Sequence, residues 1–294
     1  SVTTLLLGLL GLAAGCQGTP PSPGAVASRC GAPPPRSDST HPSLLAHPDF
    51  ALRPWESGQV AHRCLAVAPW GDASWGAEAA SFLDEGEATS VEREIDGAHL
   101  AVGGEVGHIW AEDTSGGWAF ARLIQGDVWG GASCGPAAWH RFEPIPVSDR
   151  PLFLDFDVCL GPSRLLSMFD SWILVGANIW LSGSSLPRAG RDIEGRKPLV
   201  LDLMIHHRTN MLGIRDGSHE NDLGYHYQTQ VAHPTAQAWT HVSIDLGREI
   251  EDATTHFGLG GATPTLAIRQ VEFVVEVHNA RGAASIDNMS LSTR

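Results

Sequence analysis

Two stretches of this chain alternate, residue by residue, between greasy and polar side chains. That rhythm admits a β-strand and little else. Strand side chains take opposite faces with a period of two. In Leu199-Val-Leu-Asp-Leu-Met-Ile-His206, residues Leu199, Leu201, Leu203 and Ile205 point one way, and Asp202, Met204 and His206 the other. In Val271-Glu-Phe-Val-Val-Glu-Val-His278, Val271, Phe273, Val275 and Val277 share one face, and Glu272, Glu276 and His278 the other. A merely solvated face would favour Lys, Thr, Ser and Glu. Carboxylate, imidazole and thioether together read as the lining of a groove.

The same parity test works elsewhere. Asn178 and Trp180 lie opposite Ala177, Ile179 and Leu181. Trp239, His241, Ser243 and Asp245 lie opposite Val242, Ile244 and Leu246, and Asp155 and Asp157 lie opposite Leu154, Phe156 and Val158. Further strands are expected at Val60–Val67 and near residues 90–94, 99–102, 108–111, 118–124, 140–144, 224–231 and 284–291. Short runs broken by Gly, Pro, Asn and Asp dominate. One helix is expected at about Arg248–Phe257, with acidic residues near its start and Gly258 past its end. Many short strands and one short helix predict an all-β sandwich or jelly roll with a concave ligand face.

The first residues carry a different message. An apolar run from Leu5 to Ala14 closes in Leu12-Ala-Ala-Gly-Cys16. That is the pattern of a bacterial lipoprotein signal, with Cys16 as the lipidated residue. The run is too short to span a bilayer as a helix. Residues 1–16 are therefore expected as signal peptide, and residues 17–47, rich in Pro, Gly and Ser, as a flexible linker. Residues 48–294 are expected as the folded domain. The chain is placed at a bacterial cell envelope by its lipid anchor, or secreted, and touches membrane only through that anchor.

Four cysteines remain, Cys30, Cys64, Cys134 and Cys159. An even number in an exported chain predicts two disulfides. Sequence allows three connectivities, and the two local pairings, Cys30–Cys64 and Cys134–Cys159, are favoured. No CxxC spacing points to zinc. Net charge is −14 and Lys197 is the single lysine, which argues against nucleic acid, anionic membrane surfaces and strongly acidic polysaccharides as partners. The ten tryptophans suit either sugar stacking or a sandwich core.

A retaining glycosidase needs two carboxyl groups about 5–5.5 Å apart, one a nucleophile and one an acid/base. Strands lie about 4.8 Å apart, so acids on one face of nearby strands can meet that geometry. Asp202 with Glu276 is the leading pair, and Asp202 with Glu272 the second. Asn178, Trp180, Met204, His206, Glu272, His278 and His226 are the candidate substrate-binding residues.

Asn178-Ile-Trp-Leu181, followed by Asp202-Leu-Met-Ile-His206, resembles glycoside hydrolase family 12. That family carries an Asp-Ile-Trp-Leu strand and then a Glu-Ile-Met-Ile-Trp strand holding its nucleophile. Trp239-Thr-His-Val-Ser-Ile244, the expected helix and the 268–278 strand follow the family's closing order. The resemblance spans about residues 172–291. It implies a concanavalin-like jelly roll and hydrolysis of a β-linked polysaccharide with retention, with Asp202 as nucleophile and Glu276 as acid/base. Asp202 stands where the family has Glu, and His206 and His278 stand where it has Trp.

Two other readings stay open. One is a non-catalytic carbohydrate-binding lipoprotein. The other is a polysaccharide lyase using Tyr225, Tyr227 and a histidine such as His206 or His226, within a wider class that includes a structural envelope protein. No metal site is expected, because the adjacent His206 and His207 point to opposite faces. No cofactor is expected; Asp170, Asp287 and Asn288, near strand ends, are read first as turn residues, with a structural calcium as the alternative. No GxSxG elbow and no Gly-rich phosphate loop occurs.

Overall fold

The computed structural model describes Cys30, Pro34, Leu44 and residues 66–67, 70–72, 107–112, 119–126, 144–147, 151–188, 196–210, 217–221 and 224–293. Cys16, Cys64, Cys134 and the strands expected near residues 90–94 and 99–102 lie outside these. In chain order the strands are β1 (Ala66–Val67), β2 (Trp70–Asp72), β3 (Gly107–Glu112), β4 (Ala119–Gly126), β5 (Ile145–Pro146), β6 (Leu152–Leu160), β7 (Arg164–Leu165), β8 (Trp172–Gly183), β9 (Leu199–Thr209), β10 (His219–Glu220), β11 (Tyr225–Gln230) and β12 (Trp239–Asp245). Helix α1 (Leu246–His256) follows, then β13 (Leu266–His278) and β14 (Ala280–Thr293).

These strands form two curled sheets, a jelly-roll β-sandwich. Among the described residues the large sheet runs β1-β2-β4-β13-β8-β9-β11-β10, with β5 beside β13. The small sheet runs β12-β6-β14-β3, with β7 beside β14. Neighbours are antiparallel except β9 and β11, which run parallel. Parity explains the core. Leu199, Leu201 and Leu203 of β9, Ile173 and Ile179 of β8, and Val271, Phe273 and Val275 of β13 are buried together. From the small sheet Leu154, Phe156 and Val158 meet them.

Helix α1 starts two residues before the expected position. Asp245 is its cap, and the Oδ1 atom accepts from the Arg248 backbone N–H at 3.2 Å, satisfying an orphan donor of the first turn. Leu246, Ile250 and Ala253 turn inward. Gly258, at φ +67°, ends the helix in a left-handed conformation that costs glycine nothing. Among the described residues no helix is long and apolar enough to cross a membrane.

The favoured cysteine pairing is corrected. Cys30 bonds Cys159, 129 residues away. Cys159 is fully buried and projects from β6, opposite in parity to the core residues Val158 and Leu160. Sequence distance misleads here because closing a longer loop adds cost only logarithmically. Two further ties accompany the bridge. The Leu44 N–H donates to the Leu291 carbonyl at 2.6 Å, and Asn288 Nδ2 donates to the Pro34 carbonyl at 3.2 Å. The stretch expected as free linker is thus fastened to β6 and β14 at three described points. Replacing both Cys30 and Cys159 by serine is expected to cost about 5 kcal/mol, for a loop of this length. Urea unfolding of the double variant against wild type checks it, and an unchanged midpoint refutes it.

Candidate active site

The large sheet turns its second face away from the core, and strand register orders that face into rows. One row is Glu272 of β13, Asn178 of β8, Asp202 of β9 and Gln228 of β11. The row beside it is Gln270, Trp180, Val200 and His226. On the other side Val274, Gly176, Met204 and Gln230 line up. Gly176 is needed there, because a Cβ would stand 2.8 Å from the Leu203 carbonyl oxygen.

Three side chains converge on Glu272. Trp180 Nε1–H donates to Oε1 at 2.5 Å, Asn178 Nδ2 donates to the same oxygen at 3.2 Å, and Gln270 Nε2 donates to Oε2 at 3.4 Å. Glu272 is 0% exposed. Burying a carboxylate is costly unless donors meet it, and these do. Asp202 is 8% exposed, and His226 Nδ1–H donates to its Oδ2 at 3.1 Å. His226 stacks on His219, with centroids 5.1 Å apart and planes 7° apart. Trp180 meets the same ring edge-on at 6.0 Å.

The structure brings Asn178, Trp180, Asp202, His226 and Glu272 together, with Met204 in the next row. It separates Glu276. That residue pairs with Leu174, which pairs with His207, four residues along β13 from Glu272. The step is about 13 Å along the strand and two strand spacings across, so the backbones of Asp202 and Glu276 are about 16 Å apart. Of the two pairings expected, the structure brings together the second, Asp202 with Glu272, whose backbones lie about 10 Å apart, and holds the first, Asp202 with Glu276, apart. Sequence parity placed both glutamates on the correct face but carries no register between strands.

His206 is corrected as well. Gly176 pairs with Met204 but Val175 pairs with His206, so Ile205 is an extra residue in β9. Such a bulge inverts the alternation beyond it. His206 now faces with the core residue Val175, and His207 takes the site face opposite Leu174. Burial, then the nearby Arg208 and His207, push the His206 pKa below the usual imidazole value. His278 shares the parity of Glu272 but lies at the strand end. There it stacks on Trp172 at 6.5 Å and reaches Asp170 Oδ2 at 3.1 Å.

The lyase set is not assembled. Tyr225 and Tyr227 pair with the core residues Leu199 and Leu201 and pack under α1, against Phe257 at 5.3 Å and His256 at 5.8 Å. His226, between them, faces the other way. Burial raises the pKa of both phenols, which disfavours their use as bases. Asp155, Asp157 and His241 belong to the small sheet and join one another, His241 Nδ1 lying 3.0 Å from Asp157 Oδ1, and not the Asp202 row.

The calcium trio is also divided. Asp170 pairs with His278, whereas Asp287 Oδ1 accepts from the Asn288 backbone N–H at 2.7 Å on β14. Among the described residues no group of three or more His, Cys, Asp or Glu side chains could hold a metal ion. Two contributors were missed in the sequence. Gln270 has the parity of Glu272, but the bulge between Ile268 and Gln270 hides its alignment with Trp180. His219 sits on a two-residue strand too short to show a period.

A scan against protein-family models finds no match, and neither does a comparison with curated proteins. Solved structures give distant likenesses. A cellulase derived from the Cel12A cellulase of Rhodothermus marinus aligns at TM-score 0.44 and 14% identity, over 81% of this chain and 97% of that one. A metagenome-derived glycoside hydrolase family 12 endoglucanase aligns at 0.43 and 20% identity, over 78% and 93%. A family 12 xyloglucanase from Bacillus licheniformis aligns at 0.42 and 12% identity, over 88% and 100%.

Proposed function

We propose that this chain is an exported glycoside hydrolase that acts on a β-linked polysaccharide through Asp202 and Glu272. The observation that carries the reading is the row Glu272–Asn178–Asp202, two carboxylates on next-nearest strands of one face with an amide between them. The retaining mechanism uses carboxyl groups about 5–5.5 Å apart, and both of these project from the same face of the sheet. Asp202 serves as nucleophile and Glu272 as acid/base. Trp180, Asn178, Met204 and His226 bind and orient the sugar chain.

The substrate is a neutral β-glucan. A net charge of −14 repels acidic chains, and the described site face presents acids, amides and imidazole where a uronate needs cations. Export is supported by the Cys30–Cys159 disulfide, a bond that oxidising compartments keep. Lipidation at Cys16 belongs to the same reading; fatty-acid labelling that survives Cys16→Ser would refute it.

A second reading has its own support. Glu272 is fully buried and held by three donors, and Asp202 is held by His226. Carboxylates so engaged suit a face that binds glycans without cutting them. Incubation of the full chain with a panel of β-glucans separates the two. Reducing ends that appear with retained β-configuration, read by proton NMR of the first product, support the hydrolase. Retardation on glucan-containing gels without product selects the binder. Neither result overturns both.

A further inference from the structure

Asp202 is the shortest carboxylate that could serve as nucleophile, and a short arm makes its orientation decisive. The described structure gives its side chain one hydrogen-bond partner, His226, whose Nδ1–H meets Oδ2 at 3.1 Å. A carboxylate only accepts, so this contact fixes the proton on Nδ1. His226 pairs with Val200, one row away from Asp202, so it approaches from the β11 side and leaves Oδ1 unclaimed.

The imidazole is itself braced. His219 covers one face of it, and His219 is held by two contacts: Nδ1–H donates to the Gly217 carbonyl at 3.2 Å, and Nε2 accepts from Asn221 Nδ2 at 3.4 Å. Trp180 packs edge-on against His226 and donates its own N–H to Glu272. Asp202, His219 and, through Trp180, Glu272 are thus the titratable groups around this ring. His226 Nε2 is buried and has no protein partner, so the ring is not anchored from its far side.

We propose that His226 is the positioning residue of Asp202: it pins Oδ2, leaves Oδ1 as the oxygen offered to the sugar, and through Trp180 ties the setting of Asp202 to that of Glu272. The role as stated rests on the hydrolase reading; the pairing itself does not. A displaced reacting group costs about 10²-fold in rate. His226→Phe is expected to lower kcat on soluble β-glucan by about that factor, a larger change than any accompanying rise in KM. His226→Asn keeps a donor near the Nδ1 position and is expected to recover most of the loss.

Nitrogen-15 NMR of the full chain supplies a readout independent of turnover. In wild type the His226 ring is expected to carry its proton on Nδ1, and in Asp202→Ala that preference is expected to vanish. Identical His226 signals in the two proteins would overturn the pairing. A folded His226→Phe variant as fast as wild type would overturn the positioning role and leave the hydrolase reading intact. A wild-type chain that releases no sugar overturns the hydrolase reading and with it the kinetic role, while the nitrogen spectra still decide whether His226 holds Asp202.

Discussion

Glutamine at position 272 is expected to remove hydrolysis, while glutamine at position 276 leaves it unchanged. The two glutamates share a strand, a face and a charge, and differ in register alone. Glu272 stands opposite Asn178 and, one strand further, Asp202, whereas Glu276 stands opposite Leu174 and His207. A positioned acid or base contributes about 10²–10⁴-fold, so Glu272→Gln is expected to lose at least the lower figure in kcat/KM. Gln keeps the shape of Glu and can still accept from Trp180 Nε1–H and Asn178 Nδ2, so the fold is expected to hold. Equal melting temperatures for the two variants are the control. Initial rates on one soluble glucan decide the matter. A loss in Glu276→Gln as large as that in Glu272→Gln would mean that the Asp202 row is not where bond cleavage occurs.

The sandwich was legible because its signal is local. The alternation in Leu199–Ile205 and Val271–Val277 assigns each residue to a face without knowledge of any neighbour, and the buried set follows it. The faces of Asp202 and Glu272 were legible for the same reason. Partnership was not. Which glutamate meets Asp202 depends on the alignment of β13 with β8 and of β8 with β9, and two bulges alter that alignment. The extra residue Ile205 is an ordinary apolar side chain, so nothing in its chemistry announces that His206 and His207 exchange faces. The disulfide failed for a related reason. Cys30 and Cys159 meet because the early chain lies against β6 and β14, a long-range packing event with no period to read. His241 shows a third limit. Parity placed it correctly among carboxylates but could not say that β12 and β6 belong to the other sheet.

Behind the site, Phe273→Ala is expected to cause the largest loss of stability among single core truncations of β13. Phe273 is fully buried on the strand that carries Glu272, one residue on and facing the opposite way. Its ring meets Phe156 of β6 edge-to-face, with centroids 5.8 Å apart and planes at 71°. The pair spans the two sheets, one ring from each. Truncating a buried Phe to Ala costs about 3–5 kcal/mol through lost transfer energy and the cavity left behind. Against a typical total of about 5–15 kcal/mol, that is a large fraction. Phe273→Leu keeps most of the volume and is expected to cost under about 1.5 kcal/mol. The same truncation should reach the site, because β13 presents Glu272 and Gln270 from a backbone that Phe273 anchors to the small sheet. Folded Phe273→Ala is therefore expected to lose activity beyond what its unfolded fraction explains. Urea unfolding with a shared slope measures the first effect, and kcat at a denaturant-free temperature well below the midpoint measures the second. A stability loss below about 1 kcal/mol, the size of an average substitution, would mean that the sheets do not close on this pair of rings.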